Sequence, residues 1–375
     1  MTMNEPKIQS LIEEEEILKF TISNIDVSIV NSLRRIILSE IPLFVFKAFP
    51  HEENKINIIS NTCKLHNEII KQRLGCIPIH IDDNEFPYKD YLVELDVKND
   101  TTNIKYVTSE SFKIKNINTG KYLSDSQVQK IFPADNITGD YIEITKLNPA
   151  LSKEITGEQL TLTASLDIST AKDDGMYNVV STCSYGNTLD KVKISDIWNE
   201  KRKQHETAGL SQEEIEDEKK NWLLLDAKRI FIDNSFDFTL ETIGIYSNMA
   251  LVVKSCDILI QKCKDFMENL KNKEHLVEFS DNTLLKNEFV VTLENEDYTF
   301  GNVLTYFLYN EYYENQKTID FVGFQKPHPH IPNSRIRIDL IDSQDKNKVY
   351  QYLNDSCDII ILYLNNLSAI FNQSK

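Results

Sequence analysis
The chain has 375 residues, 41% hydrophobic and 26% charged, which is enough to bury a sizeable core in two or three domains. A formal charge of −17 and a pI near 4.9 argue against broad contact with nucleic acid, because phosphate binding rests on clustered Lys and Arg that release counterions. No apolar run reaches the roughly eighteen residues of a membrane span. The N-terminus runs into Glu13, Glu14, Glu15 and Glu16 where a signal peptide would be basic and then apolar, so an intracellular, unanchored protein is expected.

In chain order, Leu18, Phe20 and Ile22 alternate as a strand does. Asp26 then stands where a side-chain oxygen can cap a helix. Ile29, Val30, Leu33, Ile36 and Ile37 form one apolar stripe on that helix; by the 100° step Arg34 borders the stripe and Arg35 faces away from it. Within residues 47–178, Leu65 to Leu74 reads as a helix stopped by Gly75 and Pro78, while Tyr91 to Val97 and Gln159 to Ile168 alternate like strands. Asn199 to Asn221, dense in Lys, Glu and Gln, reads as a solvated loop or surface helix. A strand through Phe236, Phe238 and Leu240 leads to a long helix whose stripe is Val252, Cys256, Leu259, Cys263, Phe266 and Leu270. The polar stretch 271–287 reads as a connector. Beyond it come a strand (Phe289, Val291, Leu293), a capping Asp297, a helix (Phe300, Val303, Leu304, Phe307, Leu308) and a further strand (Ile336, Ile338, Leu340). A last long helix carries Leu353, Cys357, Ile360, Leu364, Leu367 and Phe371.

These elements repeat. Thr21 to Leu38 lies over Thr292 to Tyr309 without a gap, at an offset of 271 that places Asp26 on Asp297, Asn24 on Asn295, Asn31 on Asn302 and Leu33 on Leu304. Ser255-Cys256-Asp257-Ile258 lies over Ser356-Cys357-Asp358-Ile359 at an offset of 101, each inside a long helical pattern. One short identity is explained by chance, but agreement in order, period and polarity across both pairs is not. The fold expected is therefore α+β, with one strand-and-helix module present twice and a mainly β domain inserted in the first. The expected boundaries are 1–46 and 179–270 for the first module, 47–178 for the inserted domain, 271–287 for the linker and 288–375 for the smaller second module.

Catalytic equipment is missing from the pattern. The six cysteines contain no Cys-x-x-Cys pair and read as buried free thiols. His328 and His330 in KPHPHIP lack a Cys or carboxylate at ligand spacing and read as a Pro-fixed surface loop. No Ser-His-Asp set, phosphate-cradling glycine loop or Asp-x-Asp-x-Asp motif appears, so nucleotidyl-transfer chemistry of its own is not expected. Gly301 reads as a site of close helix crossing and Gly75 as a helix-ending glycine.

Asn24 to Pro42 (NIDVSIVNSLRRIILSEIP) and Asn61 to Pro78 (NTCKLHNEIIKQRLGCIP) resemble the N-terminal domain of the bacterial RNA polymerase alpha subunit. They are closer still to the alpha-like third subunit of eukaryotic polymerase II and its archaeal counterpart, the D protein of that polymerase. Tyr141 to Pro149 (YIEITKLNP) resembles part of the inserted domain of these alpha-like proteins. Glu296 to Leu304 (EDYTFGNVL), Phe321 to Phe324 (FVGF) and Pro327-His328-Pro329 resemble the smaller eleventh subunit, or archaeal L. The resemblance covers nearly the whole chain.

It implies a non-catalytic assembly subunit of a DNA-directed RNA polymerase in which two alpha-type dimerisation modules, each an antiparallel sheet plus helices, pair within one chain about an internal pseudo-two-fold, an internal pseudo-dimer in place of a homodimer. The implied partners are the largest and second-largest subunits and small assembly subunits, with no direct specific DNA contact, no membrane and no cofactor. Asn31, Arg34, Arg35 and Arg73 are the residues it implies for docking the second-largest subunit, since a guanidinium fork grips carboxylates or carbonyls bidentately. The implied seam between modules comprises Leu33, Ile37, Leu304, Phe307, Leu259, Phe266, Ile360, Leu364 and Leu367. Many alpha-like third subunits hold a cysteine cluster for zinc or iron–sulfur in the inserted domain; nothing between Phe46 and Asn178 reproduces it, so no metal is expected there. Single-chain versions are similar to those of large cytoplasmic DNA viruses, which points to the host cytoplasm or virion, or otherwise to the nucleus or site of transcription. The competing reading is an acidic interaction scaffold of the same fold acting outside a polymerase; an enzyme with its site in the inserted domain is a third, weaker one.

Overall fold
The computed structural model describes residues 5–82, 85–150, 156–280, 287–341 and 345–373. Among these, the α-helices are α1 (Val27–Ser39), α2 (Asn67–Gly75), α3 (Asp125–Ile131), α4 (Lys191–Thr207), α5 (Gln212–Leu224), α6 (Asn248–Asn272), α7 (Tyr298–Leu308) and α8 (Lys346–Gln373). The chain divides into two compact units, the first being Met1–Ile36, Thr182–Glu241 and Val252–Lys375, the second Ile37–Ser181 and Thr242–Leu251.

The first unit contains the same sheet twice. One has the spatial order Lys7–Glu14, Ile17–Ser23, Phe231–Thr242, Val180–Leu189; the other runs Val277–Phe279, Glu288–Leu293, Ser334–Leu340, Ile319–Gln325. The two central strands pair antiparallel in both, Phe20 opposite Phe238 in the first and Val291 opposite Ile336 in the second. Alternation decides which face is buried: Leu18, Phe20, Ile22, Phe236, Phe238 and Leu240 are all at most 5% exposed, as are Phe289, Val291, Leu293, Ile336, Ile338 and Leu340. The polar connector 271–287 contributes the outer strand Val277–Phe279 to the second sheet, because Leu276 and Val277 are buried within it; positions 281–286 lie outside the described residues.

The charged stretch 199–221 lies on helices, in an α4–α5 hairpin with a small core of its own. Trp198 and Trp222 meet at 5.5 Å between ring centroids, and Ser211 with Glu214 forms a capping box at the start of α5. α7 continues into a π-helical segment, Tyr309–Asn315, where Tyr312 stacks on Tyr352 of α8 at 3.9 Å.

The second unit is mainly β. A four-stranded antiparallel sheet, in the order Ile56–Asn61, Gln159–Ser165, Tyr91–Lys98, Lys113–Asn116, is joined by two-stranded pairs Lys105–Thr108 with Glu143–Leu147 and Leu43–Val45 with Asp167–Ser169. α2 and α3 supply Ile70, Leu74 and Val128 to its core, around the rings of Phe46, Phe112 and Phe132. Gly75 closes α2 but not in the left-handed conformation expected of a helix-ending glycine. Its lack of a side chain instead makes room for Met176, whose Sδ would lie 2.8 Å from a Cβ there.

Candidate functional site
Each repeat starts its first helix in the same way. Asn24 and Asn295 carry the chain out of the strand in left-handed backbone, at φ +61° and +56°, a conformation Asn tolerates better than most side chains. Asp26 then accepts the Ser28 amide at 2.7 Å and Asp297 the Thr299 amide at 2.8 Å, satisfying one free donor at each helix start.

Across the seam each copy reaches into the other's turn. Arg35 on α1 donates from Nη2 to Asp297 Oδ2 at 2.6 Å and from Nε to the Thr299 hydroxyl at 2.8 Å. Ser32, buried one turn earlier, lies 2.5 Å from the Thr299 carbonyl, to which its hydroxyl donates. At the offset of 271 the counterpart of Arg35 is Tyr306, and burial raises its phenol above the ordinary value with the Asp26 carboxylate adding to the shift. Lys262 on α6 donates to both Glu296 carboxylate oxygens, at 2.8 and 3.0 Å. Its counterpart at the offset of 101 is Tyr363 on α8, whose hydroxyl donates to the Asn24 carbonyl at 3.1 Å. The contacts are reciprocal in position, as a two-fold pairing requires, and different in chemistry.

Apolar contacts fill the space between. Phe266 of α6 meets Phe300 of α7 edge-on at 5.5 Å, and Phe20 meets Phe371 of α8 in the same manner at 5.1 Å. Cys357 of α8 lies against Cys263 of α6; hydrogen bonding between the thiols, then burial, holds the Cys357 thiol well above its usual range. Burial by itself would raise the Asp297 carboxyl, but the Thr299 amide and hydroxyl and the Arg35 guanidinium together outweigh it and hold the group below the ordinary carboxylate range.

The nine seam positions taken from the sequence, Leu33, Ile37, Leu304, Phe307, Leu259, Phe266, Ile360, Leu364 and Leu367, are all buried, none above 8% exposed. The docking set is divided between the two units. Asn31 accepts from Arg34 Nη2 at 2.9 Å and, with Asn302, lines a cleft of about 350 Å³ that Tyr185, Tyr306 and Tyr309 also face. Arg35 does not face away from the rest of the chain: helical rotation puts it beside the second repeat's capped turn, where its fork is half-buried against Asp297. Arg73 belongs to the other unit, donating to the Ile144 carbonyl at 2.7 Å. Gly301 accommodates the Phe324 ring of a strand, not a crossing helix; a Cβ there would stand 2.1 Å from Cε2 of that ring.

Sequence reasoning missed Lys262, Glu296 and Tyr363. The repeat did place Lys262 over Tyr363, but a Lys facing a Tyr carries no pattern that signals a shared role. Cys76 is exposed and Cys63 half-exposed, unlike the four buried thiols Cys183, Cys256, Cys263 and Cys357. Among the described residues no group of three or more His, Cys, Asp or Glu side chains could hold a metal ion. No helix among them is long and apolar enough to cross a membrane.

Two copies of one strand-turn-helix unit, each capped by its own aspartate and braced by the other copy, define a protein built on dimerisation modules. Known sequences say which. The profile of the RNA polymerase Rpb3/Rpb11 dimerisation domain matches residues 19–263, and a second profile of the same description matches 288–369. The chain belongs to this family, and is a non-catalytic RNA polymerase subunit of the Rpb3/Rpo3/RPAC1 type. It is similar to the DNA-directed RNA polymerase subunit Rpo3 of Pyrococcus furiosus, 25% identical over 287 residues that cover 71% of this chain and 97% of the relative. The DNA-directed RNA polymerases I and III subunit RPAC1 of Homo sapiens is 23% identical over 304 residues, 68% of this chain and 82% of that protein. Its counterpart in Dictyostelium discoideum is 40% identical over 92 residues, a quarter (25%) of that protein's length.

Proposed function
We propose that this chain is a single-polypeptide counterpart of a two-subunit alpha-type dimer, a D-like module fused to an L-like module, forming a platform on which the second-largest subunit and small subunits of the polymerase assemble. The observation that carries this reading is the reciprocity of the seam, Arg35 with Asp297 and Lys262 with Glu296 on one side, Tyr306 near Asp26 and Tyr363 with Asn24 on the other. Linking the modules raises their mutual concentration to roughly millimolar, so pairing no longer depends on how much protein the cell holds. Asn31, Arg34, Arg35 and Arg73 are the residues proposed to dock the second-largest subunit. The viral setting rests on the single-chain form; the relatives named above come from Pyrococcus, Homo and Dictyostelium.

Affinity purification of the tagged full chain from its native source, with mass identification of bound chains, tests the proposal. Stoichiometric recovery of two very large subunits is expected; their absence would favour a scaffold acting outside the polymerase. Because Arg35 already holds Asp297, the variants Arg34→Ala and Arg73→Ala carry the docking test. Unchanged recovery of the second-largest subunit with both would remove these arginines from the interface.

A further inference from the structure
The two outer strands of the first sheet differ in a way that packing does not require. Lys7–Glu14 carries Lys7, Glu13 and Glu14 and a register break between Gln9 and Ile12, with Ser10 at φ +52°. Charge and irregularity of this kind discourage pairing with another chain. The opposite edge, Val180–Leu189, reads VSTCSYGNTL: ten residues without a charge or a proline. Ser184, Gly186, Asn187 and Leu189 are exposed, and a Cβ built on Gly186 would meet nothing within 4 Å.

An edge strand offers a row of backbone donors and acceptors, and what recognises such a row is another extended backbone. Its surroundings narrow the partner's side chains. Thr188 donates to Asp237 at 2.9 Å and Thr182 to Glu241 at 3.3 Å, so two carboxylates stand beside the edge on the neighbouring strand. At the far end Leu189, Val192, Phe231 and Ile232 are 37%, 73%, 40% and 47% exposed, apolar surface placed where an added strand would continue. A second copy fits poorly, because two chains of formal charge −17 repel and would bring like carboxylates together.

We propose that the edge Thr182–Leu189 receives an additional strand from another polypeptide, a segment alternating basic and apolar residues. The proposal does not depend on what the seam between the repeats docks.

The test uses the full chain and a ten-residue peptide alternating Lys and Val, with the same peptide N-methylated at every second amide as control. Binding is read by fluorescence anisotropy and its location by hydrogen–deuterium exchange. Expected are slowed exchange in 182–189 with no change in Lys7–Glu14, and binding at least tenfold weaker for the control and for Ser184→Lys/Gly186→Lys. Equal affinity for the control would overturn the proposal by showing attraction through charge alone, as would protection elsewhere in the chain. A concentration-dependent dimer abolished by Ser184→Lys/Gly186→Lys would assign the edge to a second copy and overturn it too.

Discussion

Arg35 of the first repeat takes the one oxygen that the helix cap of the second repeat leaves over: Asp297 Oδ1 holds the Thr299 amide, and Oδ2 receives the guanidinium at 2.6 Å. One carboxylate thus closes a helix end and ties the two modules through residues 262 positions apart in the chain. Charge-assisted hydrogen bonds of this geometry are stronger than neutral ones, and here they also fix register, since only one rotation of α1 brings the fork to that turn.

The pH dependence follows from the direction of the Asp297 shift. A depressed carboxyl favours the folded state when charged, so its contribution is complete above the ordinary carboxylate value of about 4 and is lost as pH falls through the lower folded value. Asp297→Asn keeps a capping oxygen and removes the charge. With a pair about one-third exposed, the difference in unfolding free energy should be only about 1 kcal/mol near neutrality. Urea unfolding from pH 6 to pH 3 should show the gap between wild type and variant constant above pH 5 and closing below pH 4; a gap that widens on acidification would contradict the assignment.

Lys262 and Glu296 are more enclosed, with side chains 15% and 20% exposed. Lys262→Met leaves the carboxylate without its amine in a poorly solvated place and should cost about 1–3 kcal/mol. Adding Glu296→Gln should recover most of that loss, because the stranded charge goes with it. Independent, additive costs in a double-mutant cycle would show that the pair is not coupled.

Leu33 and Leu304 occupy the same place in the two repeats, at 3% and 0% exposure. Each Leu→Ala change should cost about 2–5 kcal/mol. Gly301→Ala should cost about 1–3 kcal/mol through its clash with the Phe324 ring, and Gly301→Ala/Phe324→Leu should cost less than the glycine change alone. Thermal unfolding monitored by circular dichroism reads all of these.

The thiols should divide sharply. Burial pushes Cys183 and Cys256 up to about 12, and Cys357 is likewise raised. Since the thiolate is the nucleophile and must be reached, iodoacetamide at pH 8 should label Cys76 and Cys63 in the native protein, and the four buried thiols only after denaturation. Mass spectrometry of native and unfolded protein gives the answer; native labelling of Cys263 or Cys357 would mean that the α6–α8 contact opens.

Period and polarity carried much of the architecture into view. Leu18, Phe20 and Ile22, or the alternating four-and-three spacing from Val252 to Leu270, have one physical reading each, and the repeat tied distant segments together. What sequence could not give was rotation about the helix axis relative to a partner. Arg35 lies off the apolar stripe, so periodicity sent it to solvent, whereas a polar partner waited at Asp297. Charge density likewise suggested a loop or a helix for 199–221 without choosing, because the small tryptophan core that folds the α4–α5 hairpin rests on Trp198 and Trp222, residues that flank the segment on either side. Gly75 and Gly301 were visible as glycines, but the neighbours they make room for, Met176 and Phe324, come from elsewhere in the chain.

A symmetric homodimer must put every side chain in both halves, so a residue that improves one edge is imposed on the other. Here the position that is Arg35 in the first half is Tyr306 in the second, and Lys262 answers to Tyr363. Joining the halves removes the duplication: each flank can evolve its own chemistry, and left is told from right before any other polypeptide arrives.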